Sequence, residues 1–122
     1  MIIGVGTDMI EIQRVKKACQ KQAFFARCFT LKEQEIIKES SQKAAGNFAV
    51  KEAVSKVFGS GISGFDLKDI EVLRDEKGKP YVHLYGEAFH IAESLGIHQM
   101  HVSISNTKEY AIAFAVGEGD TV

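Results

Sequence analysis

Two stretches of this chain are written as β-hairpins, and they constrain the fold more than any other feature. "LKDIEVLRD", "EKGK" and "PYVHLYG" read as one, with Gly78 in the turn and Pro80 at the edge of the return strand. "HVSISNT" and "YAIAFAVGE" read as a second, closing through "NTKE". Helical patterns are distributed around them. "IEIQRVKKACQKQ" follows a short first strand, "IIGVGTD". "TLKEQEIIKES" opens with Thr30 and Glu33 in capping-box spacing. A longer helix begins near Gln42 or Lys43 and runs through "FAVKEAVSKVF" into glycines, and "EAFHIAESLG" is a helix ended by Gly96. Helices interspersed with hairpins, without a regular β-α-β-α rhythm, predict an α+β fold: a mostly antiparallel sheet with helices packed on it. With 122 residues, the expectation is a single domain spanning 1–122.

The bulk numbers exclude several functions. A net charge of -1 argues against a general nucleic-acid binder, which usually carries a strong basic excess. Cys19 and Cys28 form no C-x-x-C pair and have no neighbouring histidine, so neither a zinc site nor a disulfide framework is indicated. The start, "MIIGVGTDMIEI", has no basic segment and reaches an aspartate at position 8, unlike a signal peptide. No apolar run approaches about 18 residues, so no membrane span is expected. A reducing cytoplasm is the expected location.

Five places are candidates for chemistry. Asp8 shares a strand face with Ile2, Gly4 and Gly6, and glycines on a strand face let a ligand or another backbone approach closely. Asp8 and Glu11 also have capping-box spacing for the next helix, and one carboxylate can cap and face a ligand. Glu52 and Lys56 are spaced as an i,i+4 ion pair, worth only a few tenths of a kcal/mol in solvent. The helix wheel, however, puts them against the small-residue edge of a core-facing stripe, while Lys51, about 140° from Lys56, is expected to be solvated. A carboxylate at the edge of a buried stripe needs a cation or a metal. Magnesium suits one or two carboxylates together with phosphate oxygens, with Lys56 as a point charge for another phosphate oxygen.

"GSGISG", Gly59 to Gly64, reads as a C-cap and turn, because a phosphate-cradling loop normally precedes its helix. "HVSIS" puts His101, Ser103 and Ser105 on one strand face, to line a phosphate site or to face water. Between Arg14 and Arg27 there are five basic residues and no acidic one. Arg14, Lys17 and Lys21 fall within a roughly 60° arc of one helix. Such a stripe on a near-neutral chain suggests a docking surface for something acidic, with Phe24 and Phe25 as an apolar anchor.

"GTDMIEIQR", "FTLKE", "FAVKEAVSK" with "FGSGI", "GKPYV" and "HVSISNTKEYA" occur in this order along essentially the whole chain. Together they resemble the short bacterial 4′-phosphopantetheinyl transferases, the holo-acyl-carrier-protein synthases. The resemblance implies transfer of the phosphopantetheine arm of coenzyme A to a serine of apo acyl carrier protein, releasing adenosine 3′,5′-bisphosphate. It implies magnesium, and a homotrimer with each active site at a subunit boundary. Asp8 and Glu52 would be the metal ligands and Lys56 would contact the coenzyme A phosphates. Gly59, Ser60, Gly61, Ile62, Pro80, His101, Ser103 and Thr107 would surround the nucleotide. Arg14, Lys17, Lys21, Phe24 and Arg27 would receive the acidic carrier. Either Glu52 or a metal-bound water is the first candidate for the base that takes the serine proton, with His101 a further one. The chain departs from the family pattern at Asn47, commonly arginine, and at Asn106, often histidine. The competing reading is a non-catalytic module that binds a nucleotide or the carrier, and the paired acids Asp8 and Glu52 count against it.

Overall fold

A 10-residue strand, β1 (Ile2–Glu11), leads into two short helices, α1 (Ile12–Cys19) and α2 (Gln22–Cys28), and then α3 (Leu31–Ile37). The 18-residue α4 (Ser41–Phe58) follows, then a 3-10 turn (Leu67–Asp69), the hairpin β2 (Ile70–Arg74) and β3 (Pro80–Leu84), and α5 (Gly86–Ser94). The long hairpin β4 (Ile97–Asn106) and β5 (Tyr110–Gly119) closes the chain. This computed structural model describes residues 1–120 apart from Ser60 and Ile62. The main sheet is antiparallel in the order β1-β5-β4, and β2-β3 forms a separate antiparallel ribbon. The α+β expectation and both hairpins are present.

The sheet and α4 fit because both surfaces are small. Gly4 and Gly6 of β1 share the face of Ala111, Ala113, Ala115 and Gly117 of β5. A Cβ on Gly6 would lie 2.0 Å from the Ala53 carbonyl oxygen, and one on Gly4 2.7 Å from that of Val57. The close approach that the glycines permit is therefore by the backbone of α4. Ser40 caps this helix through Lys43 N–H at 3.2 Å, and Gly59 ends it in the left-handed region at φ 80°.

Three sequence expectations are corrected. β1 runs on to Glu11, opposite Tyr110, and Ile12 N–H donates to Glu109 at 2.8 Å, so Asp8 stays in the ladder and caps nothing. Glu11 precedes α1 without a side-chain cap. The single basic helix is two: α1 stops at Cys19 and Lys21 is the residue before α2, so Lys21 leaves the arc of Arg14 and Lys17. Lys51, expected in solvent, is fully buried. The wheel assumed one core-facing stripe, whereas α4 has the sheet on one flank and α3 and β2 on another, and is buried almost all round.

The buried charge of Lys51 is met on every side. Its ammonium lies 2.8 Å from Glu33 Oε1, donates to Leu67 O at 3.0 Å and also donates to Ile70 O. Glu33 keeps its expected role in the Thr30 capping box while accepting this bond. Burial pushes the Glu33 carboxyl up and the Lys51 ammonium down, each partly restored by the other.

Candidate active site

Asp8 lies on the face of β1 that meets α4, and α4 delivers Glu52 and Lys56 to it one turn apart. The Lys56 ammonium is 3.6 Å from Asp8 Oδ1 and donates to the Thr7 carbonyl at 2.7 Å. Partial burial raises the pKa of both carboxyls; Lys56 opposes the rise in each, while the charge on Asp8 adds to that of Glu52. Two acids thus face one another with a single half-exposed ammonium between strand and helix. This arrangement is improved by a further cation. Among the described residues, no group of three or more His, Cys, Asp and Glu side chains could hold a metal. A cation at Asp8 and Glu52 would take two hard oxygens from the chain and the rest from ligand and water, the pattern magnesium favours.

The other predicted residues fall in different places. Gly59 and Gly61 lie beyond the end of α4 next to Lys56, with φ 80° and 67°, and Ser60 and Ile62 lie outside the described residues. The Ile104 of β4 is in register with Asp8 through Ala113, so His101 and Ser103 lie on the opposite face of the sheet. His101 is exposed there with its Nε2 2.8 Å from Glu118 Oε1. Thr107 organises the β4-β5 turn, its hydroxyl accepting from Glu109 and Tyr110 N–H at 3.2 and 3.0 Å. Pro80 starts β3 and lines a cavity of about 540 Å³ with Lys43, Arg74, Ile104 and Asn106. Asn47, whose Oδ1 accepts from the Arg74 of that wall, is about 140° from Glu52 around α4. One chain therefore gathers Asp8, Glu52 and Lys56, and holds Pro80 and His101 apart from them. On α1, α2 and the link between them, Arg14, Lys17, Arg27 and Lys21 are exposed, and the Arg27 guanidinium sits 6.0 Å from the Phe24 ring centre.

Residues 4–115 match the model of the 4′-phosphopantetheinyl transferase superfamily. The chain belongs to that superfamily. A holo-[acyl-carrier-protein] synthase of Lachnoclostridium phytofermentans is 52% identical over 118 residues, covering 97% of each chain. The holo-(acyl-carrier-protein) synthase of Bacillus anthracis, solved in complex with CoA (3′,5′-ADP), superposes with a TM-score of 0.81 at 36% identity, over 98% of this chain and 99% of that one. That of Neisseria meningitidis reaches 0.87 at 31% identity, over 97% and 99%.

In this phosphopantetheinyl transferase the departure at Asn47 is structural. Its side chain is fully buried, donating to Glu33 Oε2 and Val72 O, each at 3.0 Å, and accepting from Arg74 Nη1 at 2.7 Å. Sequence reasoning missed Arg74. Strand alternation could have found it, because Arg74 shares a face with the buried Ile70 and Val72.

Proposed function

We infer that this chain is a holo-[acyl-carrier-protein] synthase, transferring 4′-phosphopantetheine from coenzyme A to a serine of apo acyl carrier protein. The observation that carries the mechanism is the convergence of Asp8, Glu52 and Lys56 on one flank of α4. Asp8 and Glu52 hold magnesium in this reading. When bound, the ion supplies charge neutralisation at the coenzyme A diphosphate. The serine oxygen attacks the phosphorus that bears the pantetheine arm. The bond from that phosphorus to the bridging oxygen breaks, and adenosine 3′,5′-bisphosphate leaves with the electron pair. The serine proton must go to a base, for which Glu52 is the candidate among the gathered side chains. Lys56 places positive charge beside the diphosphate, so positioning and electrostatics supply most of the rate.

A homotrimer with shared sites is part of the proposal. Supporting it, the outer face of the sheet exposes Val5, Met9, Ile112 and Phe114, an apolar surface suited to cover by another copy. Pro80, His101, Ser103 and Thr107 reach the nucleotide in this arrangement from a neighbouring protomer. The basic residues of α1 and α2, with Phe24, receive the acidic carrier. Residues 1–122 act as one transferase domain. Among the described residues no helix is long and apolar enough to cross a membrane, and both cysteines are free, in keeping with a reducing cytoplasm.

The test is to incubate the protein with coenzyme A, magnesium and apo acyl carrier protein, and weigh the carrier. A mass gain of one phosphopantetheine, abolished by chelation, is the expected result. Coenzyme A binding without any gain would favour a non-catalytic binding module.

A further inference from the structure

The outer face of the main sheet is nearly free of charge. Ala111, Ala113 and Ala115 face α4, so the even-numbered positions of β5 point the other way, as do Val5 and Met9 of β1 and His101 of β4. Among the residues paired in these ladders, only His101, Glu118 and Glu11 put an acid or an imidazole on that face. Glu11 stands opposite Tyr110, eight residues or about 27 Å along β5 from Glu118. His101 and Glu118 stand together at the other end, with Nε2 2.8 Å from Oε1. This hydrogen bond is what chiefly holds the Glu118 carboxyl below its usual value, and the charges of His101 and the Met1 ammonium add to it. That ammonium donates to the neighbouring Gly119 carbonyl at 2.9 Å.

In a single chain the pair is half-exposed and contributes little. Cover by a second copy changes that. A second copy fits this face because it brings an apolar strip of its own, with the charges at the ends of the strip rather than opposite it. Both members of the pair then lose water, and a lone buried carboxylate costs far more than one paired with an imidazolium. The covered pair therefore holds its shared proton more tightly than the uncovered pair, and by linkage the loss of that proton opposes assembly. We propose that His101 and Glu118 form a proton-held clasp between copies of this chain, so that assembly weakens as the imidazole deprotonates. This rests on the homotrimer proposed above. With Nε2 engaged by Glu118, Nδ1 remains for the nucleotide contact.

The experiment is sedimentation over a range of protein concentrations, from about pH 6 to about pH 8.5, the interval in which imidazoles lose their proton. For the wild type, the concentration at half-assembly should rise about tenfold or more across that interval. His98→Gln, away from the pair, should keep this rise, whereas His101→Gln and Glu118→Gln should each flatten it. His101→Gln also separates the imidazole from the Met1 ammonium, since both act on Glu118. A flat wild-type profile, or a rise that survives in His101→Gln, overturns the proposal. Should the two variants not assemble at all, the wild type decides alone: heats of dilution in buffers of different ionisation enthalpy should show proton uptake on assembly near pH 7, and no uptake overturns the clasp. A wild type that stays monomeric at every pH and concentration contradicts the homotrimer reading itself.

Discussion

The Lys51 ammonium lies 2.8 Å from Glu33 Oε1, with both side chains sealed from solvent, and this pair ties α4 to the first turn of α3. Removing one partner leaves the other charged and buried. Lys51→Met is expected to cost about 3–5 kcal/mol, read as a lowered midpoint in urea unfolding. Lys51→Met with Glu33→Leu should recover part of that loss, because the stranded carboxylate is gone.

Gly6 has no room for a side chain. A Cβ there would stand 2.0 Å from the Ala53 carbonyl oxygen, so Gly6→Ala must push α4 off β1. Thermal melting should show a loss of about 2 kcal/mol or more, and transferase activity should fall with it, since Glu52 and Lys56 ride on the displaced helix.

The hairpins, the capping box at Thr30 and the glycine stop at Gly59 were legible because each is a local signal, set by neighbours in sequence. Asp8, Glu52 and Lys56 were legible as residues that needed a partner, though no spacing could say that the strand and helix meet. Lys51 was misread for the same reason: its burial depends on α3 and β2, which lie far from it in sequence. Arg74 was visible in the alternation of β2, but its orientation depends on the Asn47 amide it donates to.

Burial, and secondarily the charge of Cys28, push the Cys19 thiol up to about 11. At pH 8.5 its thiolate fraction is then about a hundredfold below that of an ordinary exposed thiol. Iodoacetamide labelling followed by mass spectrometry should show Cys19 reacting correspondingly slowly, and faster as the pH approaches that value.

The exposed Ile112 sits on the apolar outer face of the sheet, away from α4. In the proposed homotrimer, Ile112→Glu should leave the far-ultraviolet dichroism unchanged while sedimentation shifts from trimer to monomer, and activity should disappear with the proposed shared site.

The central claim is that Asp8 and Glu52 together hold one divalent cation, and manganese can report it spectroscopically in place of magnesium. Electron paramagnetic resonance titration in the presence of coenzyme A should show a saturable site on the wild type, displaced by magnesium. Asp8→Asn and Glu52→Gln should each weaken it about tenfold or more. Wild-type affinity in both folded variants would contradict the account.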